Sequence, residues 1–189
     1  MPPIAWPTWW SCMPALDLNR PRRVHIIGAG GLAMRAIASI LVARGHVVSG
    51  SDQEHSPAID LLAEQGVQVA IGHRAANVGS VDAVVASTAV ASTNPELVEA
   101  TRRGIPVLRR ADAMAAICAG RRVAAVSGTH GKTTTSSMLA LVLIEGGVRP
   151  SFVIGGTVHE LGGGVKQVVQ PILVGHHADP ANQQGLVTL

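Results

Sequence analysis

At 189 residues, the chain has room for one α/β domain, or for one domain and part of a second, taking about 100–200 residues per domain; a large multidomain enzyme folded from these residues alone is excluded. Hydrophobic residues make up 47% and charged residues 14%, which supplies a core and excludes intrinsic disorder. The net charge of +3 comes from 15 basic and 12 acidic residues. Its arginines fall in scattered pairs with no aromatic residues between them, so no nucleic-acid partner is expected.

Residues 1–21 carry Trp6, Trp9 and Trp10 among prolines. There is no basic n-region, and prolines interrupt any apolar stretch, so the segment does not read as a secretory signal. It reads as a mobile extension. Val24, His25, Ile26 and Ile27 form the first predicted strand, followed by a glycine-rich turn. Ala33, Ile37, Ile40 and Leu41 then recur at helical spacing, and Arg44-Gly45 closes that helix. Residues 46–50 form a second strand running into Ser51-Asp52. Ser56-Pro57 is a cap-plus-proline start for a helix to about Gln65. Strands are predicted over 67–71 and 82–87, a helix from Asn94-Pro95 to Arg103-Gly104, a short strand over 105–108, and a helix over 111–118.

A polar joint, 119–122, precedes a further strand over 122–127, a glycine-rich loop, a helix over 132–145 and a strand over 151–154. Alternating strands and helices with β-branched, aromatic-poor cores point to parallel βαβ units. Phe152 is the single aromatic after Trp10. Cys12 and Cys118 form no Cys-x-x-Cys pair, so neither a disulfide framework nor a zinc site is expected, and a reducing cytosol fits. The longest apolar runs fall short of the ~18 residues of a membrane span. No membrane partner is expected.

Two loops carry chemistry. Gly28, Gly30 and Gly31 lie between a strand and a helix, with Ala33 at the third position of G-x-G-x-x-G/A and Asp52 at the end of the next strand. Such glycines let backbone N–H groups approach a diphosphate, and the acid would bind a ribose hydroxyl in a dinucleotide site. The alternative is a tight turn without a ligand. The second loop is Gly128-Thr129-His130-Gly131-Lys132-Thr133-Thr134. Its backbone N–H groups would wrap phosphates, Lys132 would supply a point charge to the β- and γ-phosphates, and Thr133 would offer a hydroxyl to Mg²⁺. Val126 stands where a strict P-loop has its leading glycine, so Gly128 leads a shorter loop.

That shortened loop resembles the ATP loop of the Mur ligases, ADP-forming amino-acid ligases of peptidoglycan synthesis. Val24 to Gly31 with Met34, Ser49-Gly50-Ser51-Asp52, Ile71-Gly72-His73, Asn94-Pro95-Glu96-Leu97-Val98, Gly104-Ile105-Pro106-Val107 and Phe152-Val153-Ile154-Gly155-Gly156 are most similar to the members that join L-alanine to UDP-N-acetylmuramate. Members that ligate a recycled tripeptide come next. The resemblance implies a Rossmann-like UDP-sugar-binding domain over 22–119 and, over 122–166, the start of a P-loop-containing α/β central domain that binds ATP and Mg²⁺. It also implies phosphorylation of the muramyl carboxylate by ATP and displacement of phosphate by the amine of L-alanine. Under it, Gly28, Gly30 and Gly31 would face the UDP diphosphate, with Ser51 and Asp52 beside the nucleotide. Gly128, Thr129, His130, Gly131, Lys132, Thr133 and Thr134 would hold ATP, with Lys132 and Thr133 serving catalysis and Thr133 binding Mg²⁺. A non-catalytic nucleotide-binding module is the reading from another class.

Two features depart from the family. Ala33 stands where it usually has glycine, and Arg35 where it usually has a small residue. Past Lys166, residues 167–189 hold one charged residue, Asp179, and no acidic cluster of the kind the family uses for Mg²⁺. Two expectations fit this end: a truncated ligase, its unassigned tail over 167–189 read in a shifted frame, which the loss of charge favours, or a shortened paralogue that binds nucleotides without ligating. Little turnover is expected from the chain on its own, and the histidines of Gly175-His176-His177-Ala178-Asp179 are read as incidental.

Overall fold

The computed structural model describes residues 16–18, 20–119, 122–148, 150–154 and 165–166. Most of the 1–21 segment, the 155–164 glycine region and the 167–189 tail with His176, His177 and Asp179 lie outside the described residues.

Five strands, β1 (Arg23–Ile27), β2 (Val47–Asp52), β3 (Gln68–Ile71), β4 (Ala83–Ala86) and β5 (Val107–Arg109), form one sheet in the order β3-β2-β1-β4-β5. Every pairing is parallel. Helices α1 (Leu32–Ala43), α2 (Pro57–Glu64), α3 (Pro95–Arg102) and α4 (Arg110–Cys118) and a 3-10 turn, Ala75–Val78, make the connections. The sheet is doubly wound, with the topological switch beside β1, where such folds gather ligands at the carboxyl ends of the strands.

Alternation along each strand sorts the two faces. Val24, Ile26, Val48, Ala83, Val85 and Leu108 join one buried cluster with Ile37, Ile40 and Leu41 of α1, Ile59 and Leu62 of α2, and Met114 and Ile117 of α4. Ile27, Val84 and Ala86 face the other way, onto Val78 and Ala100, with Leu97 and Ile105 alongside. On that second face β1 and β2 also present His25, Ser49 and Ser51, polar residues in strands covered on both sides. Leu16 and Leu18, from the described part of the leading segment, pack against the larger cluster.

Helix termini follow their local sequence. Asn94 caps α3 by accepting from the Glu96 N–H at 2.9 Å, with Pro95 in the first turn. Ser56 holds the corresponding place before α2 without a side-chain cap bond. Arg44 Nη1 donates to the Ile117 carbonyl at 2.8 Å, tying the end of α1 to that of α4.

Some boundaries differ from expectation. β2 runs on to Asp52, because β3 continues the ladder through Ser51↔Ala70 and Asp52↔Ile71. The last strand of the sheet starts at Val107, since the Ile105 N–H bonds to the Ala100 carbonyl and so belongs to the exit from α3. The strand expected over 122–127 is reduced to isolated bridges at Arg122 and Ala124; Val123 and Val126 still pack against the larger core. Beyond it lie α5 (Lys132–Glu145) and a short antiparallel pair, β6 (Phe152–Val153) with β7 (Val165–Lys166). Phe152, Ile154 and Ala140 form a separate buried cluster against Leu141 and Ile144.

Candidate functional site

The first loop leaves β1 at Gly28, whose φ of +77° is a left-handed turn open to glycine. Two residues of β2 hold the loop amides. The Ser51 carbonyl accepts from Gly28 N–H at 2.8 Å and Ala29 N–H at 3.0 Å. The next residue, Asp52, accepts the Gly30 N–H at 2.8 Å on Oδ2 and the Gln53 N–H at 2.8 Å on Oδ1. Gly30 is confined by this contact: a Cβ there would lie 2.9 Å from Asp52 Oδ2 and 3.3 Å from Ile59 Cδ1. The Arg35 N–H makes the first bond back to Gly31. That leaves the Leu32, Ala33 and Met34 N–H groups at the positive end of α1, the arrangement that suits a phosphate.

Beneath the loop sits a buried polar cluster centred on Glu96, which is 0% exposed. Ser51 Oγ donates to Glu96 Oε2 at 2.6 Å. With that proton committed, His73 Nδ1 is the donor toward Ser51 Oγ at 3.0 Å and Glu96 Oε2 at 3.2 Å. Asn77 Nδ2 donates to Glu96 Oε1 at 2.5 Å and to the Gly72 carbonyl at 2.9 Å, and the Arg74 N–H approaches Oε1 at 3.3 Å. His25, also fully buried, has Nδ1 2.9 Å from Ser49 Oγ and Nε2 3.6 Å from Glu96 Oε2. Burial pushes the Glu96 carboxyl up, but the adjacent His25 ring and the hydrogen bonds from Ser51 and Asn77 outweigh it and hold the group at about 2. It is an anion at neutral pH.

The second loop enters α5 at Gly131, in the left-handed region at φ +78°. Lys132 Nζ donates to the Gly128 carbonyl at 2.6 Å and lies 3.4 Å from the Thr129 carbonyl, so the ammonium spans its own loop. The Thr135 N–H closes the first helical bond onto Gly131. The N–H groups of Lys132, Thr133 and Thr134 therefore begin the helix without intrahelical partners. Thr129, His130, Thr133 and Thr134 are exposed.

The residues expected from sequence thus fall into two sets. Gly28, Gly30, Gly31 and Asp52 surround the start of α1, whereas Ser51 turns its hydroxyl inward, away from the loop surface. Gly128, Thr129, His130, Gly131, Lys132, Thr133 and Thr134 surround the start of α5. Sequence reasoning did not single out Glu96, His25, His73 or Asn77 as one cluster. The available signal was polar residues at alternate positions of two buried strands, His25 in β1 and Ser49 and Ser51 in β2, which require a buried partner.

The model of the Mur ligase family, catalytic domain, matches residues 23–122, more than half of the chain. The chain belongs to the Mur ligase family. This Mur ligase chain is 54% identical over 144 residues to a UDP-N-acetylmuramate--L-alanine ligase of Saccharopolyspora erythraea, covering 74% of the chain and 29% of that relative. Among solved structures it resembles the UDP-N-acetylmuramate-alanine ligase of Thermotoga maritima, with TM-score 0.72 and 30% identity over 79% of this chain and 36% of that one. It resembles equally the UDP-N-acetylmuramate:L-alanyl-gamma-D-glutamyl-meso-diaminopimelate ligase of Neisseria meningitides, with TM-score 0.72 and 30% identity, over 89% and 52% of the two chains. This Mur ligase chain spans about a third of the length of the curated relatives it matches. No helix among its described residues is long and apolar enough to cross a membrane.

Proposed function

We propose that this chain carries the UDP-sugar-binding domain and the start of the ATP-binding central domain of an ATP-dependent ligase that joins L-alanine to UDP-N-acetylmuramate. The observation that carries the reading is the presence of two separate glycine loops, each opening a helix whose first N–H groups have no intrahelical partner, in a chain 54% identical over 144 residues to such a ligase. The start of α1, with Gly28, Gly30 and Gly31, receives the diphosphate of the UDP sugar. The start of α5, with Gly128 to Thr134, receives ATP. Lys132 is released from its loop carbonyls to the migrating phosphoryl group. The muramyl carboxylate takes the γ-phosphoryl group with loss of ADP, and the alanine amine then attacks the acyl carbon and expels phosphate.

Mg²⁺ takes oxygen ligands, and a hydroxyl at the start of the helix that follows the second loop suits it. Among the described residues there is no group of three His, Cys, Asp or Glu side chains that could hold a metal, while the exposed Thr133 hydroxyl stands at the start of α5. Thr133 would be its protein ligand, and the ion would neutralise charge on the phosphates. Asp52, beside the nucleotide, also fixes the loop. Both of its oxygens accept backbone N–H groups, and one of these fixes the loop itself.

Calorimetric titration with UDP-N-acetylmuramate, ATP and NAD tests the assignment. UDP-N-acetylmuramate and ATP should bind independently and better than NAD; a preference for NAD overturns it. Binding of UDP-N-acetylmuramate without ATP would favour the non-catalytic module.

A further inference from the structure

We propose that Glu96 is a positioning residue for the first glycine loop, acting through Ser51 to hold the loop in the arrangement that presents the Leu32, Ala33 and Met34 N–H groups to an anion. The inference deepens the UDP-sugar reading and rests on it for its ligand. Glu96 is fully buried, so it does not touch a ligand at the start of α1. Its influence runs through bonds. Glu96 Oε2 takes the Ser51 hydroxyl at 2.6 Å, and the carbonyl of the same Ser51 takes the Gly28 and Ala29 N–H groups at 2.8 and 3.0 Å. The following residue, Asp52, takes the Gly30 N–H. Three successive loop amides are thus set by two successive residues of β2, one of which is fixed by the carboxylate.

The rest of the cluster stiffens this relay. Glu96 also receives His73, the Arg74 N–H and Asn77 from the segment after β3, so one carboxylate joins the carboxyl ends of β2 and β3 at the side of the sheet where the loop opens. An aliphatic residue at position 96 would suffice to pack α3 against the sheet, as Ala100 does one turn later. A carboxylate with partners on β2 and on the segment after β3 does more than fill space, because it specifies where Ser51 sits along β2 relative to the turn.

The test compares the 189-residue chain with Glu96→Gln and Ser51→Ala variants, reading UDP-N-acetylmuramate and ATP affinity by calorimetry and amide exchange by NMR. In both variants the UDP-sugar affinity should fall about tenfold while ATP affinity stays within about twofold. The Gly28, Ala29 and Gly30 amides should exchange about tenfold faster, with the Val85 amide of β4 unchanged. The double variant should lose no more than the larger single loss, since both changes break one relay. Unchanged exchange at the three loop amides in a folded variant overturns the proposal, as do additive losses. Should Glu96→Gln fail to fold, Ser51→Ala carries the same expectation, because it removes only the hydroxyl. Failure of the unaltered chain to bind UDP-N-acetylmuramate sinks the functional reading instead, and the exchange data still decide the role of Glu96.

Discussion

Ser51 gives its hydroxyl to Glu96 at 2.6 Å and its carbonyl to the Gly28 and Ala29 N–H groups at 2.8 and 3.0 Å, so one residue joins the buried carboxylate to the glycine loop. Removing the carboxylate leaves donors on Ser51, His73 and Arg74 without their acceptor, in a region where water does not reach Glu96. Glu96→Leu should therefore cost about 3–5 kcal/mol, the range for breaking a buried charged group away from its partners. Urea unfolding measures this. A loss below about 1 kcal/mol would mean that the cluster repacks without its centre.

Acid should act on the same group. Glu96 titrates at about 2 in the folded chain against 4.5 as its ordinary value, so the unfolded state takes up the proton first as pH falls. The stability it contributes is complete above about pH 4.5 and is lost as pH falls through about 2; its size is on the order of 3 kcal/mol. In a series of urea curves, Glu96→Gln should flatten the slope between pH 4.5 and 2. An unaltered slope would assign the acid sensitivity to other carboxylates.

His46 gives a second, separable window. Its Nδ1 accepts the Arg22 N–H at 3.1 Å, and burial, followed by the positive charges of Arg44 and Arg22, holds the imidazole below its ordinary 6.5. The folded chain therefore keeps His46 neutral while the unfolded chain protonates as pH drops below 6.5. Stability should decline over that interval and then level once the folded histidine also protonates. His46→Gln, which retains an acceptor for Arg22, should remove this decline. Persistence of the decline in the variant would show that another group produces it.

Gly30→Ala tests the approach of the loop to Asp52. The added Cβ would stand 2.9 Å from Asp52 Oδ2 and 3.3 Å from Ile59 Cδ1, so the carboxylate must swing away and release the Gly30 N–H. The expected stability loss is about 1–3 kcal/mol, typical of overpacking. UDP-sugar affinity should fall at least about tenfold while ATP affinity is retained. Calorimetry showing equal loss for both ligands would imply a global rather than a local disturbance.

Much of this architecture was legible in the residues. The β-branched run of Val24, Ile26 and Ile27, the helical spacing of Ile37, Ile40 and Leu41, and the Asn94-Pro95 start each answer to a local rule, and each became the expected element. Both glycine loops were legible for the same reason, since a left-handed turn before a helix needs glycine in place. The Glu96 cluster was not. A glutamate in the first turn of a helix is favoured by the helix dipole whether it is buried or exposed, and its partners His25, Ser51, His73 and Asn77 are spread over 53 positions. Only the winding of the sheet assembles them. The 122–127 run is apolar enough for a strand, but a strand needs a continuous ladder partner, and among the described residues it makes isolated bridges at Arg122 and Ala124.

Lys132→Ala separates the two loops. The ammonium now binds the Gly128 and Thr129 carbonyls at 2.6 and 3.4 Å, exposed contacts to neutral acceptors that a phosphate would replace with an ion pair. The substitution should leave the fold and the start of α1 intact, because no side chain of the Glu96 cluster comes from α5. ATP affinity should drop about tenfold or more, with UDP-N-acetylmuramate affinity within about twofold of the unaltered chain. The salt dependence of ATP binding should also weaken, since one positive charge facing the phosphates is gone. Equal loss of both ligands would mean that the loops form a single site; unchanged ATP affinity would mean that the phosphates are held without Lys132.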